Sequence, residues 1–148
     1  MLDFEDIKWA REVLKELEFF SGCSGEDILT LVENFEKHHY KAGSTILFMG
    51  EISNRFYVIR KGSVGIWKSV EGERKMVAEL GEKRYFGEIS LMTPSSATAT
   101  VRAQTDAEVL SIAFENFEFA FRNNPDQIQA IKDKIEERKK ALSSAAKP

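Results

Sequence analysis

The sequence predicts a mainly β chain with helices at both ends, its strands closing into a roll or barrel. Three observations carry that prediction. Between residues 41 and 113, short β-branched and aromatic segments recur at about ten-residue spacing, the signature of a compact β unit. Glycines at 43, 50, 62, 72, 81 and 87 fall between those segments, where the chain must reverse. Outside that region apolar residues recur at three- and four-residue steps, the period of an amphipathic helix. The 148 residues suffice for one domain with its own core. The expected layout is a single domain over 1–148: N-terminal helices over 1–40, a β-roll over 41–113 and C-terminal helices over 114–142.

In chain order, residues 4–19 place Phe4, Ile7, Ala10, Leu14 and Leu17 on one helical face, with Val13 widening the stripe. Such a face either covers the sheet or docks a partner. Phe19-Phe20-Ser21-Gly22-Cys23 breaks the period. Ser24 then caps a second helix, whose first turn carries Glu26 and Asp27, acids that suit the helix dipole. Ile28, Leu31, Val32 and Phe35 are its buried face, and His38 and His39 are surface residues before the first strand. Strands are expected over 44–48, 56–59, 63–70, 75–80, 97–103 and 108–112. Lys41-Ala42-Gly43, residues 50–54, Arg60-Lys61-Gly62 and Glu71-Gly72-Glu73 are the turns between them. A helix carrying Phe117, Phe119, Ala120 and Phe121 ends at Asn123-Asn124-Pro125. From Asp126 onward Ile128, Ile131, Ile135 and Leu142 share one face of a last helix, which also suits a two-stranded seam. Residues 143–148 are expected to fray.

Composition excludes several classes. With 43% hydrophobic and 30% charged residues the chain is globular rather than disordered. No apolar run approaches the roughly 20 residues of a membrane-spanning helix. A net charge of −3 argues against a nucleic-acid surface, which needs a basic face to displace counterions. The single cysteine, Cys23, permits no internal disulfide and fits a reducing compartment. The N terminus is acidic and lacks the basic and apolar regions of a secretory signal, so a cytoplasmic location is expected.

The chemistry concentrates in Tyr85-Phe86-Gly87-Glu88-Ile89-Ser90-Leu91-Met92 and the following Thr93-Pro94-Ser95-Ser96-Ala97-Thr98-Ala99-Thr100-Val101. A glycine after an aromatic pair lets the backbone bend closely around a ligand. One acid then opens a single apolar turn, whose start leaves N–H donors and a partial positive charge for an anion. The alternative is that Glu88 serves only as a helix-start acid, stabilising the turn by a few tenths to about 1 kcal/mol.

This stretch resembles the phosphate-binding cassette of cyclic nucleotide-binding domains, in which Phe-Gly-Glu-(Ile/Leu)-(Ala/Ser/Cys)-Leu leads to Pro-Arg-(Thr/Ala)-Ala-(Thr/Ser)-Val. Phe86 through Met92 match the first half, and Thr98-Ala99-Thr100-Val101-Arg102-Ala103 match the end without insertion. Where the family has its phosphate-pairing arginine this chain has Ala97, preceded by Ser95-Ser96. Phe56-Tyr57-Val58-Ile59-Arg60-Lys61-Gly62 is similar to the family's Phe-Tyr-(Ile/Val)-Ile-x-x-Gly signature, and Leu17-Glu18-Phe19-Phe20-Ser21-Gly22 to its entry segment. The resemblance therefore covers residues 14–135. It implies a jelly-roll double-stranded β-helix with a C-terminal lid helix, acting as a non-catalytic sensor with cAMP or cGMP as effector and no other cofactor.

The binding set so implied is Phe86, Gly87, Glu88, Ile89, Ser90, Ser96, Ala97 and Thr98. Glu88 would accept the ribose 2′-hydroxyl proton, the N–H groups around Gly87, Ile89 and Ser90 would bind phosphate oxygens, and a hydroxyl at Thr98 would favour guanine. Alanine cannot make the bidentate, charge-assisted pair that a guanidinium makes with phosphate. Hydrogen bonds to charged groups contribute about 1.5–3 kcal/mol, so the loss weakens affinity on the order of a hundredfold. Ser95 and Ser96 offer only neutral donors; Arg84 and Arg102 lie nearby in sequence, but alternation along a strand turns Arg102 away from the side of Val101. The expectation is a regulatory domain that binds cyclic nucleotide weakly, binds another small ligand, or has lost its ligand.

Other classes fare less well. A metal enzyme on a jelly roll needs several converging His and carboxylate ligands. His38 and His39 are the only histidines, and being adjacent they point to opposite faces of an extended segment. Cys23 has no histidine base that sequence can place beside it, and no Gly-rich triphosphate loop is present, so neither catalytic nor metal residues are expected. A catabolite-activator-type DNA-binding regulator carries a winged helix-turn-helix after the long helix, and none is expected in a sequence ending at Pro148. The remaining alternative is a protein-interaction module, homodimeric or bound to another protein through its terminal helices.

Overall fold

The computed structural model describes residues 2–146, with side chains through Ala141; the side chain of Leu142, and Lys147 and Pro148, lie outside the described residues. The chain forms two compact units, one spanning Glu36–Phe114 and the other combining Leu2–Phe35 with the chain from Glu115 onward.

In the helical unit, α1 (Phe4–Glu16) starts at a capping box: Asp3 accepts from the Asp6 N–H while Asp6 reciprocates. Ala10, Val13 and Leu14 are buried, but Phe4, placed on the same stripe by spacing, is 76% exposed in the first turn. The helix stops short of residue 19 because Leu17 is extended; a 3₁₀ turn over Glu18–Phe20 follows and buries Phe19 and Phe20, rings 4.8 Å apart and edge-on. Ser24 caps α2 (Gly25–Glu33) and exchanges hydrogen bonds with Asp27, as its sequence position suggested. Ile28, Leu31 and Val32 fill its buried face. α3 spans Phe114–Ala120 and α4 Pro125–Ala146. Pro125 occupies the first helical position, where its missing N–H costs nothing. α4 thus continues through Ser143, where fraying was expected, to Ala146. Ile131 and Ile135 are buried along it.

The β unit begins earlier than the expected residue 41. β1 (Glu36–Tyr40) is a five-residue strand, so His38 and His39 lie within a sheet rather than before it. Its local β propensity is weak; register with the last strand along its whole length is what holds it. The remaining strands are β2 (Thr45–Leu47), β3 (Ile52–Ser53), β4 (Arg55–Lys61), β5 (Val64–Val70) and β6 (Glu73–Leu80). They are followed by β7 (Tyr85–Phe86), β8 (Ser95–Ser96), β9 (Thr100–Ala103) and β10 (Ala107–Ala113). The strand expected over 97–103 starts only at Thr100. β5 and β6 are joined through Glu71 and Gly72, both at positive φ (52° and 83°), the pairing that matches a hairpin to the right-handed twist of its strands.

The antiparallel strands form two four-stranded sheets, ordered β1-β10-β4-β7 and β2-β9-β5-β6, and a small β3-β8 ladder. One cluster joins the two four-stranded sheets: Tyr57, Ile59, Phe86, Ala107 and Val109 from the first, Leu47, Val64, Val101 and Ala103 from the second. Period-two alternation sends these residues inward and their sequence neighbours outward. The result is the roll that the strand spacing and glycines implied, of the jelly-roll type that the resemblance implied, flanked in sequence by helices.

Candidate functional site

The cassette stretch lies wholly in the β unit, and its geometry starts at Gly87. This residue has φ 81°, in the left-handed region, and a Cβ there would sit 2.6 Å from the Arg55 carbonyl oxygen and 3.4 Å from the Tyr57 ring. Only glycine meets both demands. β7 is therefore free to run directly into a single 3₁₀ turn, Glu88–Leu91. The turn is pinned from below: Leu91 is fully buried, and the buried Ser90 hydroxyl donates to the Ser53 carbonyl at 3.2 Å. Phe86, buried ahead of the glycine, stacks on Tyr57 with ring centroids 4.6 Å apart and planes 11° apart.

Not every amide named from the sequence is open to an anion. The Ser90 N–H donates to the Gly87 carbonyl at 3.0 Å, closing the 3₁₀ turn on itself. Burial raises the Glu88 carboxyl above its ordinary value, and the residue's own backbone, which favours the ionised form, only partly offsets it. Glu88 is thus a desolvated acid, an acceptor suited to a hydroxyl donor. Ile89 is half-buried beside it.

Ser95 and Ser96 are fixed in β8, opposite Ser53 and Ile52. The next residue, Ala97, is clamped by its backbone: its N–H donates to the Glu51 carbonyl and its carbonyl accepts from Gly50, both at 2.9 Å. Its methyl packs against the apolar cluster inside the roll. Thr98 is exposed and Ala99 buried. Phe86, Gly87, Glu88, Ile89 and Ser90 thus sit on one continuous bend, and Ser96, Ala97 and Thr98 on the segment that returns after it.

The two cations near the cassette in sequence do not serve its interior. Val101 belongs to the core cluster, whereas the Arg102 guanidinium lies over the Trp67 ring, 5.7 Å from its centroid, as alternation implied. Arg84 is exposed. Sequence reasoning passed over Ser53, Arg55 and Tyr57, which wall the bend from β3 and β4. Tyr57 carries a visible signal, since it alternates with Ile59 on an inward face; Ser53 acts through its carbonyl and carries none. His39 Nδ1 lies 3.5 Å from Glu108 Oε1, and His38 Nε2 lies 3.6 Å from Glu36 Oε2. Among the described residues, no three His, Cys, Asp or Glu side chains converge so as to hold a metal ion. No helix among them is long and apolar enough to cross a membrane.

Comparison with known proteins agrees with this geometry. The family model described as cyclic nucleotide-binding domain matches residues 37–124. The cAMP-activated global transcriptional regulator CRP of Salmonella typhimurium is 31% identical over 108 residues, 72% of this chain and 51% of that protein. The cyclic AMP receptor protein of Thermus thermophilus is 26% identical over 113 residues, 76% of this chain and 52% of that one. The chain thus spans about half the length of the curated relatives it matches. Among solved structures, the N-terminal domain of a transcriptional regulator from Streptomyces coelicolor superposes with a TM-score of 0.79 at 23% identity. That superposition covers 92% of this chain and 96% of that domain, a likeness of fold. A two-sheet roll, a glycine bend followed by a desolvated acid, and a family model matched over most of the chain lead to one conclusion: this chain belongs to the cyclic nucleotide-binding domain family.

Proposed function

We propose that this domain is a non-catalytic regulatory module whose effector is a cyclic nucleotide of the cAMP or cGMP class, or a similar small anion. The effector is held weakly along the bend from Gly87 to Thr98. The observation that carries this reading is the preserved bend, with Gly87 against the Arg55 carbonyl and a half-buried Glu88, combined with an alanine at position 97. Glu88 would accept a hydrogen bond from a ribose hydroxyl, and the N–H groups around Gly87 and Ile89, but not that of Ser90, would face the phosphate. Signalling would pass through the helical segments, and only by as much as the effector's affinity differs between their two arrangements. The setting proposed is cytoplasmic, with a protein partner rather than nucleic acid as the target of this stretch, in keeping with a net charge of −3.

Calorimetry with cAMP and cGMP tests the reading. Binding weaker than about micromolar is expected, and Ala97→Arg is expected to tighten it on the order of ten- to a hundredfold. Submicromolar binding by the unaltered chain would refute the weak-affinity reading. A second reading, a ligand-independent interaction module, is favoured by the Ala97 methyl packed on the core where a charged clamp would otherwise reach in. Thermal denaturation separates the two, because a binder gains stability as ligand concentration rises and a scaffold does not.

A further inference from the structure

We propose that the outer face of α1 running through Phe4, Ile7, Lys8, Arg11 and Lys15 is where this domain meets its protein partner, and that it takes an acidic amphipathic helix. The proposal rests on the preceding reading only in giving the domain a protein partner; it needs no effector at the bend.

At about 100° per residue, α1 divides into three faces. Asp6, Ala10, Val13 and Leu14 are buried and fix the helix in its unit. Phe4, Ile7, Lys8, Arg11 and Lys15 fall together within an arc of about 100°. Glu5, Glu12 and Glu16 fall within an arc of about 40° beside it. Acids and bases are interleaved along the sequence, so only the helix sorts them by face.

The basic face is not used up within the molecule. Phe4 is 76% exposed, and Lys8 and Lys15 are exposed. Among the described residues, no side-chain ion pair or hydrogen bond engages Lys8, Arg11 or Lys15. Arg11 is half-buried, and its Nε is shielded from solvent without an acceptor. A shielded guanidinium nitrogen is unfavourable alone and is relieved by a carboxylate. With Glu12 at the rim, the stripe lines a cleft of about 220 Å³. Its residues recur at three- and four-residue steps, the spacing at which a helix laid alongside presents its own side chains.

Other apolar features of the helical unit are already covered. Ile131 and Ile135 of α4, which by spacing suited a two-stranded seam, are buried within the chain. Phe119, 55% exposed, lies under the Arg122 guanidinium, 4.0 Å from its ring centroid.

Charge complementarity fixes the chemistry of the occupant. A helix with carboxylates beside an apolar stripe sets acids against Lys8, Arg11 and Lys15, and apolar side chains against Phe4 and Ile7. A flat anionic surface such as a phosphatidylserine bilayer would also press its charge on Glu5, Glu12 and Glu16, which opposes it. A narrow acidic helix avoids that repulsion.

Fluorescence anisotropy of the full chain with a labelled synthetic helix tests the proposal. The probe has about 18 residues, with leucines along one face flanked by glutamates. Micromolar binding is expected, weakening severalfold between about 50 and 300 mM salt. Phe4→Ala should weaken it about tenfold. The double variant Lys8→Glu/Lys15→Glu should lose it, and should instead prefer the same helix with lysines in place of the glutamates. All three positions are exposed, so these variants keep the fold. No binding, equal binding of a scrambled peptide, or binding unmoved by both variants overturns the proposal. Association with phosphatidylserine vesicles in place of the peptide overturns it too. If the acidic helix binds while calorimetry shows no cyclic nucleotide bound, this surface stands and the effector reading falls. If cyclic nucleotide binds and the helix does not, the effector reading stands and this proposal falls.

Discussion

Replacing Gly87 by alanine tests whether the bend is held by conformation alone or by contact with β4. Gly87 and Gly72 have nearly the same positive φ, 81° and 83°, but differ in surroundings. At Gly72 an added Cβ meets nothing within 4 Å, whereas at Gly87 it lies 2.6 Å from the Arg55 carbonyl oxygen. A left-handed conformation costs a non-glycine residue about 1–2 kcal/mol, and forcing extra volume into a packed site costs about 1–3 kcal/mol more. Gly72→Ala should therefore lose only the first amount, and Gly87→Ala both, about 3 kcal/mol in all. For a chain of this size that is a fall of roughly 6–12 °C in Tm. Urea unfolding of the two variants beside the parent measures the difference directly. Equal losses would show that the Arg55 carbonyl yields freely and that β4 does not shape the bend. Because the clash displaces the Glu88–Leu91 turn, Gly87→Ala should also weaken ligand binding, which Gly72→Ala should leave intact.

Three further outcomes follow from the same geometry. Ser90→Ala removes the buried hydroxyl that donates to the Ser53 carbonyl and should cost about 1–2 kcal/mol in urea unfolding, with Ser90→Thr tolerated no better because the site is closed. Glu88→Gln should raise stability at pH 7 while reducing ligand affinity. Burial raises the folded-state carboxyl pKa, so the native state is favoured while the acid is protonated and penalised once it ionises; the stability gain should vanish as pH falls below the carboxylate range. Tyr57 should ionise late. Its folded value is about 12 against an ordinary 10.0, so its contribution to stability is full below pH 10 and lost as pH rises through 12. Tyrosinate absorbance of the parent and Tyr57→Phe follows this, and a Tyr57 component titrating at its ordinary value would contradict the burial assigned to it.

Much of the site was legible because it is written in backbone requirements. A glycine after an aromatic pair, an acid opening one turn and small residues returning to a strand need no distant partner to be recognised, and all lie where the cassette was expected. Ser24 and Asp27 cap their helix for the same reason: a capping box is closed within four residues. Failures occur where pairing overrides local preference. Glu36–Tyr40 is strand only because β10 lies beside it, and Thr98 and Ala99 are not strand because the ladder to β5 ends at Thr100.

Taken alone, the order of residues determined the class of fold, the position of the bend and the absence of a guanidinium at position 97, since each is a local property of one short segment. It left undecided which way the side chains around the bend point. Arg84 is exposed, and Arg102 lies over Trp67 on the face opposite Val101. A strand sends alternate side chains to opposite faces, and which face is inside is settled only when two sheets close on a common core. That closure is a tertiary event, and it set the Tyr57 ring on Phe86 beside the bend.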